Sequence, residues 1–159
     1  MLSSLFDTFT FATLLGQMKK ITFQREVRVG IYSRERAQLN EQQRKQIEVP
    51  LQQALSLLLE KKSIHFTLFR YGWRDYSVLH DSIPAPARVE WRFILTPGWK
   101  REWGGGVFSP HGSGICTFFP VTENTLILKR YGKNERNYVR YITSAAGRRK
   151  MLMVEGVVR

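Results

Sequence analysis

The chain has 159 residues, enough for one domain with a real core, and its 43% hydrophobic and 13% aromatic content excludes global disorder. Lys and Arg number 25 against 13 Asp and Glu, a formal charge of +12, which favours anionic partners or leaves a basic solvated surface. The single cysteine, Cys116, excludes an intrachain disulfide and a cysteine-based zinc site and fits a reducing, intracellular compartment.

The first twenty residues are apolar and hydroxyl-rich, with Lys19 and Lys20 after the apolar part. This is the reverse of a secretory signal, and Asp7 is unusual in a mitochondrial presequence. The segment reads as an amphipathic first helix, with mitochondrial targeting an open alternative. No apolar run is long enough to span a bilayer as a helix. Ile21, Phe23, Val27, Val29 and Ile31 alternate well enough to predict one strand from Ile21 to Tyr32. Residues Arg34 to Gln46 are strongly polar and favour helix by composition. Pro50 is placed to open a second helix from Leu51 to Lys61, with Leu51, Ala54, Leu55, Leu58 and Leu59 on the face turned to a sheet.

From His65 the period becomes that of strands. HFTLFRY, SVLHD, RVEWRFILT, GGGVFSP, ICTFFP, NTLILKR, NYVRYIT and KMLMVEGVV follow one another between Gly-, Pro- and polar-rich turns. Short strands at this spacing predict a sandwich or barrel, so the fold is mostly β, of α+β type. The whole chain, 1–159, reads as a single domain: residues 1–62 form a helical support with one strand, and residues 63–159 form the β core. Gly104–Gly106 follows no strand-to-helix pattern and reads as a tight turn, not a phosphate cradle. Cys116, in the apolar run Ile115–Phe119, is expected to be a buried core thiol. The aromatic residues Trp73, Tyr76, Trp91, Trp99 and Trp103 are expected in core and turn packing.

The histidines are three, His65, His80 and His111, and none pairs with another at helical metal-ligand spacing. His111 lies in a Gly-rich turn. The informative segments are FRYGWRDYSVLHDS, RVEWRFILTPGWKREWGGG, PVTENTLILKR and NYVRYITSAAGRRKMLMVEG, in that order. From about Phe66 to Val158 this series resembles the 2-oxoglutarate/Fe(II) oxygenases, in particular their prolyl-hydroxylase-like branch. The resemblance implies a double-stranded β-helix, or jelly roll, with N-terminal supporting helices. It also implies a site: the first metal histidine falls on His80 and its acidic partner on Ser82, beside Asp81. The second metal histidine falls on Asn137 or Tyr138, and the arginine for the cosubstrate's distal carboxylate on Arg149, with Arg148 or Lys150 reached by a small shift.

An Fe(II) facial triad needs two imidazoles and a carboxylate. A neutral Ser82 hydroxyl neither balances the metal's charge nor binds it strongly, and Asn137 offers only an amide oxygen. Asp81 points to the opposite face from its neighbours in an extended strand. His80 read alone is a half-buried structural histidine. The resemblance therefore implies a diverged, non-catalytic oxygenase-like domain without cofactor, acting as a basic binding or assembly module. The alternative is an active hydroxylase that holds Fe(II) through His80 and Asp81 and 2-oxoglutarate through Arg149. A further alternative is an unrelated basic β-domain that binds RNA. Lys100, Arg101, Lys129, Arg130, Lys133, Arg136, Arg140 and Arg148–Lys150 interleave with Tyr131, Tyr138 and Tyr141. That pattern suits an anionic partner: RNA, a nucleoprotein particle or an acidic protein.

Overall fold

The computed structural model describes residues 4–59, 64–78, 89–110, 114–130 and 137–158. Asp7 caps the first helix, α1 (Thr8–Met18), by accepting from the amides of Phe9 and Thr10. Next come strands β1 (Thr22–Arg28) and β2 (Tyr32–Gln38), then helix α2 (Glu41–Leu59). The remaining strands are β3 (Ile64–Tyr71), β4 (Tyr76–Ser77), β5 (Val89–Ile94), β6 (Val107–Pro110), β7 (Cys116–Phe119), β8 (Thr125–Arg130), β9 (Tyr138–Val139) and β10 (Met151–Val158).

The strands run in the order β7-β6-β9-β4-β2-β3-β10-β5-β8, all antiparallel, with β1 added to β2. The sheet curls into a nearly closed barrel, the jelly roll expected from the sequence. β2 forms the corner, since it pairs with β3 on one half and with β4 on the other. The two sides of each strand have separate destinations. Phe66, Leu68, Trp91, Phe93, Leu95, Leu126 and Val154 point outward and are covered by Leu14 and Met18 of α1 and by Ile47, Leu51 and Leu55 of α2. Phe69, Tyr71, Ile94, Ile127, Met151 and Met153 point into the barrel, where Trp103, Val107, Val139 and Ile142 meet them.

The N-terminal third departs from expectation. The strand predicted over Ile21–Tyr32 and the polar helix predicted from Arg34 fold together as the β1–β2 hairpin, turned by Gly30 at φ +75°. The support therefore carries two strands, not one. Cross-strand pairing overrides helix propensity here: Glu26 lies opposite Arg34 and Arg25 opposite Glu35. The helix starts only at Glu41, where Asn40 and Gln43 exchange side-chain to backbone bonds of 2.8 and 3.1 Å as a capping box. Pro50 lies within this one helix instead of opening a second. Cys116 is exposed, not buried, because its edge strand shows that residue to solvent. Trp91 and Trp103 are core residues as expected, but Trp73 is 51% exposed. Gly104 makes the expected tight turn at φ +81°; a Cβ there would lie 2.1 Å from the Tyr141 carbonyl oxygen.

Candidate functional site

Strand alternation carries charge into the barrel. On β5, Trp91 and Phe93 face the helices, so Glu90 and Arg92 on the opposite side face the lumen, each under a tenth exposed. On β10 the lumen side continues from Met151 and Met153 to Glu155, and on β8 from Ile127 to Lys129. These side chains find one another. The Arg92 guanidinium lies 2.5 Å from Glu90 and 3.4 Å from Glu155. Lys129 Nζ donates to Asn137 Oδ1 at 3.1 Å and also to the hydroxyl of Ser109. The Asn137 amide nitrogen donates to the second oxygen of Glu90. Residues of β5, β6, β8 and β10 and the approach to β9 are thus joined across the lumen.

Burial pushes the Glu90 carboxyl above the ordinary glutamate range, an effect that Arg92, Asn137 and Lys129 only partly offset. Burial would lower the Arg92 guanidinium, but Glu90 and Glu155 outweigh it and hold the charge in place. Higher on the same wall, Arg34 donates to Glu26 at 3.0 Å and lies 3.7 Å from the centroid of the Phe69 ring. Tyr71, fully buried beside Arg34 and Glu155, has its hydroxyl pKa raised by burial. The space left between Glu90, Arg92, Lys129, Asn137 and their apolar neighbours is about 10 Å³, the least that one water needs.

The residues expected at the site are described only in part. His80, Asp81 and Ser82 lie outside the described residues, as does His111. Asn137 is in the lumen, with both ends of its amide engaged. Arg148 and Arg149 are exposed in the turn before β10. Strand parity would turn Arg149 to the same side as Met151 and Met153, but the strand begins after it. Its guanidinium instead lies 4.8 Å from the centroid of the Trp103 ring, which Lys100 approaches at 5.6 Å. Lys150 pairs with Glu35 at 2.7 Å. Lys129, assigned by sequence to the basic surface, belongs to the lumen.

The described lumen residues do not fit an iron centre. No three described His, Cys, Asp or Glu residues are placed to hold a metal ion. The Asn137 oxygen receives an ammonium, and Arg92 stands between the two carboxylates, where its charge repels a second cation. Sequence reasoning missed this network, although its signal was present. RVEWRFI places Glu90 and Arg92 two residues apart between large apolar residues, a pattern that ordinarily denotes a solvent face.

Outside the barrel, a basic rim lies at the end opposite Asn137. Lys100, Arg101, Arg140, Arg148 and Arg149 are all exposed there. The rim is held together by backbone bonds from Arg74 to Ile142, Ile142 to Asp75, Thr143 to Trp103 and Gly105 to Arg140. Trp73, with Arg74 4.5 Å from its ring centroid, and Tyr141 expose aromatic surface among these cations.

The barrel, its strand order and its covering helices define a 2-oxoglutarate oxygenase-like fold. Among solved structures, the chain is similar to a Pseudomonas putida prolyl-4-hydroxylase, with TM-score 0.75 and 16% identity over 99% of this chain and 90% of that one. It is likewise similar to a Trichoplax adhaerens prolyl hydroxylase solved with a hypoxia inducible factor peptide, with TM-score 0.79 and 12% identity over 99% and 81% of the two chains. A viral collagen prolyl hydroxylase from Paramecium Bursaria Chlorella virus-1, solved with 2-oxoglutarate, gives TM-score 0.68 and 12% identity over 99% and 93%. At these identities the shared property is the fold. No protein-family model matches the sequence, and no curated protein matches it.

Proposed function

We propose that this chain is a non-catalytic oxygenase-like domain that binds an anionic partner through the basic rim of its barrel. The observation that carries the reading is the network of charged side chains among the described lumen residues. Glu90, Arg92, Glu155, Lys129 and Asn137 are joined by ion pairs and hydrogen bonds across the space that an oxygenase of this fold needs for its metal and cosubstrate. The space that these described residues enclose among themselves is about 10 Å³, too little for a keto diacid. Asn137, at the position the resemblance gives to a metal histidine, has its oxygen bonded to Lys129 and its nitrogen to Glu90. Arg149 is exposed, with its guanidinium 4.8 Å from the centroid of the Trp103 ring. The formal charge of +12 and the exposed rim residues supply the binding side of the reading.

The test has two arms. The full chain, given Fe(II), ascorbate, oxygen and 2-oxoglutarate, forms no succinate above a protein-free control. Succinate formation that disappears in His80→Ala establishes the active hydroxylase instead. In the second arm, a uridine-rich oligonucleotide and heparin serve as anionic probes. Affinity falls linearly on a log–log plot against salt, and Arg101→Glu with Arg149→Glu flattens that slope. Salt-independent binding, or a slope unchanged by the two reversals, rejects the rim.

A further inference from the structure

A second feature lies away from both lumen and rim. β2 and β3 are paired only at Glu35–Arg70 and Arg36–Phe69. Continuing that antiparallel register would set Ala37 opposite Leu68, Gln38 opposite Thr67 and Leu39 opposite Phe66. Those pairs do not form. The same six residues instead line a cleft of about 520 Å³, together with Gln24, Arg25, Glu26, Arg36 and Arg44.

Both walls are fixed from behind. β2 is laddered to β1 as far as Gln38–Thr22, and β3 to β10 as far as Ile64–Val158. Among the described residues no backbone hydrogen bond crosses the gap. The facing edges therefore present main-chain donors and acceptors at the two-residue strand repeat, roughly 7 Å. The cleft is also positive. Glu26, its one carboxylate, accepts from Arg34 at 3.0 Å, and Arg25 is held 2.6 Å from the buried Asp75. Arg36 reaches Glu26 only at 3.9 Å and is about half exposed. Arg44 lies 5.0 Å from the Phe66 ring centroid and makes no ion pair among the described residues.

The geometry points to a docking site for an extended acidic peptide segment. Its main chain adds to the open edge of β2 or β3, and its carboxylates meet Arg36 and Arg44. Strand addition explains the two edges together, since an extended polypeptide carries donors and acceptors at the matching repeat. A phosphodiester backbone brings acceptors without a corresponding row of donors. Ala37 and Leu39, both partly exposed, offer apolar contact for the peptide's alternate side chains, while Phe66 and Leu68 stay buried beneath the helices.

The probe is an acetylated, alternating Val-Glu peptide of about six to eight residues, a normal strand length, added to the isotope-labelled full chain. The expected result is amide shifts at Ala37, Gln38, Leu39, Phe66, Thr67 and Leu68. Binding weakens about tenfold or more in Arg36→Glu with Arg44→Glu. Alternate N-methylation of the peptide weakens it similarly when the methyl groups occupy the paired amides, and leaves the protein itself untouched. The corresponding Val-Lys peptide does not bind. The inference is overturned if the six amides do not shift, if both N-methylated registers bind as well as the parent, or if the Val-Lys peptide binds equally. It is also overturned if the uridine-rich oligonucleotide, and not the peptide, shifts these amides.

Discussion

Replacing Arg92 with methionine removes the guanidinium that pairs with both Glu90 and Glu155. Its side chain is 11% exposed, and those of the two glutamates are 8% and 18% exposed, so water does little to replace it. Stranding one partner of a buried ion pair costs about 3–5 kcal/mol. Here two carboxylates are stranded, and Glu90 can relieve the cost by taking up a proton. Glu90 already sits above the ordinary range because it is buried, and losing Arg92 raises it further. The folded variant then binds more protons at Glu90 than the unfolded chain does, so its stability increases as pH falls, by up to about 1.4 kcal/mol per pH unit. Urea unfolding of wild type and Arg92→Met at about pH 8 and about pH 6 measures this. The penalty should be several kcal/mol at the higher pH and clearly smaller at the lower one, and Glu90→Gln in the variant should recover part of it. A penalty below about 1 kcal/mol, or one that does not change with pH, refutes the claim of a desolvated lumen network.

Other consequences are independent of the lumen. Glu35 accepts from Lys150 and Arg70, and these bonds outweigh its burial and hold its pKa below the ordinary range. It therefore contributes stability above that range, which is lost as pH falls through its lowered folded value; Glu35→Gln should flatten the acid limb of a stability–pH curve. A Cβ on Gly156 would lie 2.4 Å from both the His65 carbonyl oxygen and the Trp91 ring. Gly156→Ala should accordingly cost about 1–3 kcal/mol by thermal melting, with a change in Trp91 fluorescence. Asn124 holds the N-terminal segment by accepting from the Phe6 amide at 3.0 Å and donating to the Phe6 carbonyl at 2.6 Å. Asn124→Gly tolerates the local φ of +52° yet should speed hydrogen exchange of α1. The exposed Cys116 should react with a thiol reagent in the native state at the rate of an unfolded control.

The barrel was legible because its strands obey local rules. Alternation in RVEWRFILT and NTLILKR, with Gly and Pro between runs, is enough to mark the core strands. The hairpin at β1–β2 was not legible, because RERAQ carries helix-forming residues whose charges are used across a strand pair. Only the partners Glu26, Arg25 and Arg70 reveal that use. Pro50 gave a misleading helix start for a related reason: the long apolar face of α2 packs on the sheet through Ile47, Leu51 and Leu55 and outweighs one lost hydrogen bond. At the site, sequence identified Asn137 as a departure from a metal ligand, but not what engages it. Lys129 and Glu90 reach Asn137 only once β5, β8 and β9 are curled around one lumen.

The most direct test of this lumen network is an anaerobic calorimetric titration of the full chain with Mn(II), followed by 2-oxoglutarate. The lumen network predicts no saturable heat from either component, in wild type or in Asn137→Ala. Stoichiometric Mn(II) binding that strengthens with 2-oxoglutarate and is lost in His80→Ala would contradict the account, since Arg92, Lys129 and Asn137 would then have to release one another to admit both.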